Sequence, residues 1–331
     1  MRKLLALLVT LPLLLAACTT KPATPEAGKT APAPAAAKPA PISVVLDWYP
    51  NAVHTFLYVA AEKGYFKEQG LDVTFKMPAE NPADGLKLVE AGKETFALYY
   101  PADLLQARAQ GVKAVSWGAV VRSPLNVLMA LQSSNIKRPK DLEGKTVGYP
   151  SLPIDIDFVK TMVKTDGGNP DLVKFQDVSW DIMPALTSKN VDAVIGGYLN
   201  HEKLLLEKEG NPVNVMALTD FGVPSYNELI LVGGEGLDPQ IATKFWTAAQ
   251  KSLEWTKSNP KEALGILLAK QKAESPLDET VETQSLQLLL PRMTGVGSFG
   301  AQSPDDWKRL TDWMGQKGII PATVKAEEAF R

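Results

Sequence analysis

The sequence is poor in the two residues that most often build metal and redox sites. It contains one cysteine, Cys18, and two histidines, His54 and His201, in 331 residues. A single cysteine excludes a disulfide within the chain and a thiolate metal cluster. The two histidines lie far apart in the sequence, whereas structural zinc sites need clustered His or Cys ligands. We therefore expect neither a metal ion nor a cofactor.

Signatures of common enzymes and of nucleic-acid binding are also missing. The sequence has no G-x-S-x-G nucleophile elbow and no phosphate-binding P-loop, and no nucleophile–base pair stands out. Its 35 basic and 37 acidic residues give a formal net charge of −2, which offers no basic footprint for nucleic acid. We expect a protein that is not an enzyme and has no nucleic-acid partner.

The chain start has the features of an export leader. Arg2 and Lys3 form a basic region, and Leu4–Leu15 form an apolar region that is too short to span a bilayer comfortably. The following residues, up to Cys18, resemble the lipobox of a bacterial lipoprotein signal. We expect residues 1–17 to be the signal peptide and Cys18 to be lipidated, which would anchor the protein outside the cytoplasmic membrane. An ordinary secretory leader is the alternative.

The segment 18–41 is rich in proline and alanine and contains no bulky apolar residue. It cannot bury a core, and its prolines favour an extended tether with a reach of about 3 Å per residue. Loss of Arg2 and Lys3 with the leader leaves 33 of the 35 basic residues against 37 acidic ones, so the mature charge is about −4.

The rest of the chain alternates short apolar strands with helices, in two similar rounds. The first round predicts strands at 42–48, 71–75 and 95–99 with helices at 54–64 and 82–91. The second predicts strands at 145–149, 172–177 and 191–196 with helices at 155–165 and 183–188. The stretches 92–100 and 190–198 share a turn residue, an acid, an apolar strand and a tyrosine. Two α/β lobes with largely parallel sheets explain this repeat.

A strand and three helices follow the second round, and we assign them to the first lobe. Lobe 1 is then predicted to comprise residues 42–130 and 226–331, and lobe 2 residues 131–225. The two crossovers between the lobes would lie near Leu128–Gln132 and Asp220–Asn227. Two hinge strands of this kind permit closure around a ligand.

Aromatic and polar residues gather just after the predicted strands, where parallel α/β sheets bind ligands. Rings from both lobes would face a common cleft: Trp48, Tyr99, Tyr100, Tyr149 and Tyr198. Such faces stack on a flat heterocycle, while neighbouring amides and carboxylates hydrogen-bond to its edge. For any single tyrosine, packing in the core is an equal alternative.

The predicted site extends beyond these rings. The ligand contacts are predicted to be Trp48, Asn51, His54, Tyr99, Tyr100, Tyr149, Pro150, Ser151, Tyr198, Asn200 and Glu202. Asp47, Asp103 and Tyr226 are predicted to support them from behind. His54 sits at a helix start, so it either binds the ligand or caps the helix. His201 is expected to point away from the cleft.

The stretch L-D-W-Y-P-N-A-V-H at 46–54, followed by G-Y-F and G-L-D-V, resembles the opening of the thiamine-pyrimidine-precursor binding proteins. The resemblance runs to about residue 232. It implies a bilobed α/β periplasmic-binding-protein fold of type II. It also implies a protein that captures a formylaminopyrimidine or hydroxymethylpyrimidine and delivers it to an ABC permease with its ATPase subunits. We expect the protein to be a monomer. By the same resemblance, Trp48 and Tyr198 stack on the ring, and Asn51 and Glu202 hydrogen-bond to its nitrogens.

Two alternatives follow from the same superfamily. It includes pyrimidine synthases that consume one of their own histidines and use a cysteine-rich iron site. The matching position here is Asp103 and no cysteine cluster exists, so the synthase reaction is disfavoured. Another branch carries riboflavin. Ala52, Val53 and Phe56 depart from the usual pyrimidine-binding turn, which leaves riboflavin or another flat heterocycle as the alternative ligand.

Overall fold

The computed structural model describes residues 38–78, 84–271, 276–295 and 297–331. The predicted signal peptide, the lipidation site Cys18 and tether residues 18–37 lie outside the described residues. The first strand starts at Ala40, which pairs with Leu71, so the last two residues of the predicted tether belong to the folded part. Within the described ranges, no helix has both the length and the apolar character needed to cross a membrane.

Among the described residues, ten strands form two five-stranded sheets. The strands are β1 (Ala40–Val45), β2 (Leu71–Lys76), β3 (Phe96–Tyr99), β4 (Ala114–Val121), β5 (Asn126–Leu131), β6 (Thr146–Tyr149), β7 (Lys174–Asp177), β8 (Ala193–Tyr198), β9 (Val213–Ala217) and β10 (Leu229–Gly234). Lobe 1 has the order β2-β1-β3-β10-β4, and lobe 2 has the order β7-β6-β8-β5-β9.

Helices cover both sheets. They are α1 (Thr55–Glu62), α2 (Tyr65–Glu68), α3 (Asp84–Glu90), α4 (Pro101–Ala109), α5 (Pro153–Thr165), α6 (Ile182–Thr187), α7 (Glu202–Lys208), α8 (Pro239–Ser258), α9 (Pro260–Leu268), α10 (Glu279–Met293) and α11 (Pro304–Gln316). A short 3-10 turn, Ala52–His54, precedes α1. The sequence pattern predicted α8, α9 and α11, but it did not predict α10.

The two sheets share one plan. In each, three strands run parallel and a fourth, β10 or β5, runs antiparallel to both of its neighbours. The similar stretches 92–100 and 190–198 contain β3 and β8, which occupy equivalent places in the two sheets. The sheets are therefore mixed, whereas the sequence pattern predicted largely parallel ones.

The structure corrects the first predicted crossover, Leu128–Gln132. Leu128 lies inside β5, which pairs with β8 and β9 of the second sheet. The chain therefore enters lobe 2 through residues 122–125, and the predicted boundary between residues 130 and 131 falls within a strand. The return crossover occupies residues 222–228, just before β10, and overlaps the predicted segment 220–227.

The core of lobe 1 holds the elements that carry the site. Phe66 and Phe245 stack with ring centroids 5.3 Å apart, and Phe245 lies 5.2 Å from Phe96 of β3. Phe56 of α1 packs edge-on against Phe299 at 5.1 Å. Burial of large aromatic side chains contributes strongly to stability. These aromatic contacts hold α1, and the turn that precedes it, against the sheet.

Candidate ligand-binding site between the lobes

A cavity lies between the two lobes, beyond the carboxyl ends of the parallel strands. Aromatic side chains form much of its wall: Trp48, Tyr100, Phe158, Tyr198 and Tyr226. Five acidic side chains also line it: Asp47, Asp103, Asp155, Glu202 and Glu228. Amides come from Asn51, Asn126 and Asn200. His201 is the only basic side chain among the described residues of this lining. The cavity is therefore aromatic and rich in carboxyl groups.

Most of the predicted site residues meet here. The lining includes the predicted contacts Trp48, Asn51, Tyr100, Pro150, Tyr198, Asn200 and Glu202. It also includes the three residues predicted to stand behind them, Asp47, Asp103 and Tyr226. The ends of β1, β3, β6 and β8 deliver most of these residues, because the carboxyl ends of parallel strands meet at one edge of a sheet.

Four predicted contacts do not line the cavity. Tyr99 is buried and borders a separate small cavity beside Pro78, because successive strand residues point to opposite faces and its neighbour Tyr100 takes the cleft side. Tyr149 packs against the apolar core. Ser151 donates its hydroxyl to the carboxylate of Asp177 at 2.8 Å.

The fourth, His54, lies fully buried behind the turn and acts on its neighbours. Its Nδ1 atom accepts the backbone N–H of Asn51 at 3.1 Å, so the ring proton is on Nε2. Nε2 lies 3.0 Å from Asp47 Oδ1 and donates to it. Of the two roles that the sequence allowed, the geometry gives His54 that of a cap.

Asn51 starts the helical segment. Its Oδ1 atom accepts the backbone N–H of Val53 at 3.0 Å, as expected of an N-cap residue. Its Nδ2 group donates to the carbonyl of Tyr49 at 3.2 Å. The second oxygen of Asp47 accepts the hydroxyl of Tyr100 at 3.2 Å, so the turn and the end of β3 are held together.

Trp48 closes the cavity on one side. Its ring centroid lies 4.3 Å from that of Trp180, which belongs to lobe 2. Tyr226, from the return crossover, stacks on Phe158 of α5 with centroids 5.8 Å apart. Aromatic contacts therefore join Trp48 of lobe 1 and Tyr226 of the return crossover to lobe 2.

Glu228 is a lining residue that the sequence reasoning missed. It is 2% exposed, and its Oε2 atom accepts the backbone N–H groups of Leu125 at 2.5 Å and Asn126 at 2.9 Å. Its Oε1 atom accepts the hydroxyl of Tyr198 at 3.0 Å. Burial raises the pKa of Glu228 above its ordinary value, although these hydrogen bonds oppose the rise. A polar residue directly before the apolar run of β10 was the only signal in the sequence.

His201 also lines the cavity, contrary to the expectation that it points away. Its Nδ1 atom lies 2.8 Å from Glu202 Oε1, and its Nε2 atom lies 3.5 Å from Glu282 Oε1. Burial opposes the charge of the ring, but the two flanking carboxylates raise the pKa of His201 to about 10. The ring is therefore a cation at neutral pH, balanced by two anions.

The partners of His201 extend this network to both lobes. Burial raises the pKa of Glu202, but His201 and the backbone N–H of Tyr198, 2.8 Å away, lower it by more. The net shift is therefore downward. Glu282, on α10, accepts the backbone N–H of Ala52 at 2.6 Å through its other oxygen. One carboxylate thus contacts the turn of lobe 1 and the histidine of lobe 2.

Asp155 and Asn126 form a second polar group. Asn126 donates from Nδ2 to Asp155 Oδ1 at 2.9 Å and accepts the backbone N–H of Gly196 at 2.9 Å. Gly196 has a φ of +87°, and a Cβ atom there would lie 2.5 Å from Pro150, so only glycine fits. Burial first, and then Asp103, raise the pKa of Asp155 well above its ordinary value.

Two buried atoms in this lining lack a hydrogen-bond partner among the described residues, Asp155 Oδ2 and Asn200 Oδ1. Asn200 donates its Nδ2 group to Ser285 on α10 at 3.0 Å.

Burial raises the pKa of Asp103 to about 7, and Glu228 adds to the rise. In the part of the chain that the structure describes, no three His, Cys, Asp or Glu side chains are grouped as metal ligands.

Comparisons with known proteins agree with this architecture. A family described as "NMT1/THI5 like" matches residues 51–263. The formylaminopyrimidine-binding protein of Halalkalibacterium halodurans is 42% identical over 294 residues, which cover 87% of this chain and 89% of that protein. The 4-amino-5-hydroxymethyl-2-methylpyrimidine phosphate synthase of Legionella pneumophila is 26% identical over 285 residues, 84% of this chain and 87% of that enzyme.

Among solved structures, the alkanesulfonate-binding protein of Xanthomonas axonopodis pv. citri, bound to MOPS, superposes with a TM-score of 0.69. The match covers 89% of this chain and 99% of that one at 14% identity, a level that shows the fold alone. The bilobed α/β architecture is thus that of periplasmic binding proteins, and the chain belongs to the NMT1/THI5-like family.

Proposed function

We propose that this protein is the ligand-capturing component of an ABC importer, anchored outside the cytoplasmic membrane through Cys18. Its ligand is a formylated aminopyrimidine, which it binds between the lobes and delivers to the permease. The proposal is supported by the formylaminopyrimidine-binding relative at 42% identity and by the lipobox-like sequence. A hydroxymethylpyrimidine is the nearest variant of this ligand.

The observation that carries the proposal is the chemistry of the cavity lining. Aromatic walls such as Trp48 and Tyr198 suit a flat ring, since offset stacking of ring faces is favourable. Carboxyl groups of the lining can accept hydrogen bonds, and an aminopyrimidine offers N–H donors. A carboxylate facing such a donor makes one of the stronger polar contacts.

The same lining disfavours an anionic ligand. Five carboxyl groups surround the cavity, and the positive charge of His201 is already shared by Glu202 and Glu282. A sulfonate or nitrate would therefore enter without an unengaged cation to meet it. The fold resembles that of an alkanesulfonate-binding protein, but these side chains favour a neutral or cationic ligand.

Binding is favoured over catalysis by the comparisons. The relative at 42% identity is a binding protein, whereas the synthase is 26% identical. Asp103, the position matched to the reactive histidine of the synthases, holds a buried carboxyl group. Incubation of the protein with pyridoxal phosphate and iron, followed by mass spectrometry, would contradict a pure binding role if a new pyrimidine product formed.

Calorimetry on the mature chain with Cys18→Ala, which keeps the protein free of lipid, tests the ligand. The panel contains a formylaminopyrimidine, hydroxymethylpyrimidine, thiamine, riboflavin and an alkanesulfonate. We expect the formylaminopyrimidine to bind most tightly and the alkanesulfonate to show no heat of binding. Preference for riboflavin would replace the ligand but keep the transport role, whereas binding of the sulfonate alone would overturn the proposal.

A further inference from the structure

Asp155 has an oxygen that the protein leaves without a partner. The residue is 1% exposed and lines the cavity. Its Oδ1 atom accepts a hydrogen bond from Asn126, whereas its Oδ2 atom is buried and has no partner among the described residues. A buried polar atom without a hydrogen bond destabilises the folded protein. An atom of this kind in a ligand cavity indicates a contact that the ligand completes.

The orientation of the Asp155 carboxyl group is fixed by its neighbours. Asn126 cannot turn its amide around, because its Oδ1 atom already accepts the backbone N–H of Gly196. Its Nδ2 group must therefore face Asp155 as a donor. This assigns Oδ1 of Asp155 to the protein and leaves Oδ2 as the atom available to a ligand.

The surroundings of Asp155 favour a neutral carboxyl group. The titratable groups that act on it from the packed elements are Asp103 of α4, together with Glu228 and Tyr226 of the return crossover. These are acidic groups, and burial disfavours a further anion beside them. Since Oδ1 accepts from Asn126, the proton of the neutral group lies on Oδ2.

We infer that Asp155 binds the ligand as a neutral carboxylic acid, whose Oδ2 hydroxyl donates a hydrogen bond to an acceptor atom of the ligand. For the aminopyrimidine proposed above, on which this inference rests, that acceptor is a ring nitrogen. A buried carboxyl group can stay protonated so that it serves as a donor. Asp155 then donates to the ring nitrogen of the ligand. The amino group of the ligand donates to Glu202, which is ionised and can only accept.

Two substitutions separate this role from a structural one. In Asp155→Asn the new amide must place its oxygen on Asn126 Nδ2, which turns its own N–H donors toward the cavity. It therefore imitates the neutral acid, whereas Asp155→Ala removes the donor. Asp157→Asn, on the same helix but outside the cavity lining, is the matched control.

Calorimetry with a formylaminopyrimidine should show Asp155→Asn within about threefold of the wild-type affinity and Asp155→Ala weaker by about tenfold or more. A pyridine analogue that lacks the contacted ring nitrogen should bind wild type and Asp155→Asn more weakly than the aminopyrimidine does. Asp155→Ala, which cannot make this contact, should bind the analogue and the aminopyrimidine equally well. Infrared difference spectra of ligand-bound wild type should show a protonated carboxyl band that Asp155→Asn lacks and Asp157→Asn keeps.

Three results would count against the inference. Equal loss of affinity in folded Asp155→Asn and Asp155→Ala would overturn it, as would an ionised Asp155 band in the ligand-bound protein. A pyridine analogue without the contacted nitrogen that binds wild type as tightly as the aminopyrimidine does would also overturn it. Failure of the wild-type protein to bind any aminopyrimidine would instead overturn the proposed function, and this inference with it.

Discussion

The carboxylate of Glu228 accepts the backbone N–H of Leu125 at 2.5 Å, so the return crossover holds the first crossover by a side chain. The same carboxylate accepts the hydroxyl of Tyr198, which lines the ligand cavity. The two connections between the lobes and one aromatic wall of the site therefore share a single buried acid. A change at Glu228 should affect both stability and binding.

Glu228→Ala is expected to lower the free energy of unfolding by about 1–3 kcal/mol, because two backbone N–H groups and the Tyr198 hydroxyl lose their acceptor. Glu228→Gln keeps an acceptor for the backbone groups and should cost less. Urea denaturation measures the first effect, and ligand calorimetry measures the accompanying loss of affinity. Equal stability of the two variants would show that the backbone hydrogen bonds to Glu228 contribute nothing.

Glu282→Gln should lower the pKa of His201 from about 10, because one of the two flanking negative charges is removed. NMR titration of the ring nitrogens measures this shift. The chain has only two histidines, so the ring signals of His201 need to be told apart from those of His54 alone. An unchanged His201 titration would mean that Glu282 does not act on the ring.

Asp103 should make the stability of the empty protein fall as pH rises. Its pKa is about 7 in the folded state against an ordinary value of 3.8, so the folded state binds more protons than the unfolded chain between these values. The free energy of unfolding attributable to Asp103 therefore decreases across this window. Urea denaturation of wild type and Asp103→Asn at several pH values measures this effect. The free energy of unfolding of wild type should fall relative to that of Asp103→Asn from about pH 4 to about pH 7.

Trp48→Ala is expected to weaken binding of a formylaminopyrimidine by about 5- to 100-fold, the range typical for loss of an aromatic stacking partner. Trp48→Phe should recover part of this loss because it restores a ring face. Tyr149→Ala is the control, since Tyr149 does not line the cavity and should leave the affinity within about twofold. A larger effect at Tyr149 than at Trp48 would contradict the assignment of the aromatic wall.

Cys18→Ala should abolish lipid attachment and release the protein from the membrane. The thiol of Cys18 is the only one in the chain, so no other residue can take the same thioether-linked lipid. Metabolic labelling with a fatty acid and membrane fractionation measure the two effects. A variant that is still acylated and still sediments with membranes would refute the anchor.

The rule that ligands bind beyond the carboxyl ends of parallel strands predicted much of the cavity lining from the sequence. It brought Trp48, Tyr100 and Tyr198 to one cavity because β1, β3 and β8 end there. The same rule could not separate Tyr99 from Tyr100. Their sides depend on where the pleat of β3 falls, and an apolar strand that is buried on both faces gives no alternation from which to read it.

The remaining site residues depend on contacts between distant parts of the chain. Asn126 and Glu228 reach the cavity because β5 and β10 enter the two sheets as antiparallel strands, which the repeat pattern did not reveal. His201 lines the cavity as a buried cation because Glu282, on a helix that the pattern missed, lies beside it. These contacts could not be identified from local sequence, since the path of the whole chain decides which residues meet.

The place of β10 between β3 and β4 also has a consequence for biosynthesis. Lobe 2 draws all of its strands from one continuous stretch, 126–217, whereas the sheet of lobe 1 lacks an interior strand until residues 229–234 have arrived. A chain released or stalled before residue 229 could complete the second sheet but not the first. Pairings of such long sequence separation form slowly, so the half of the molecule that is translated first is the half that finishes folding last.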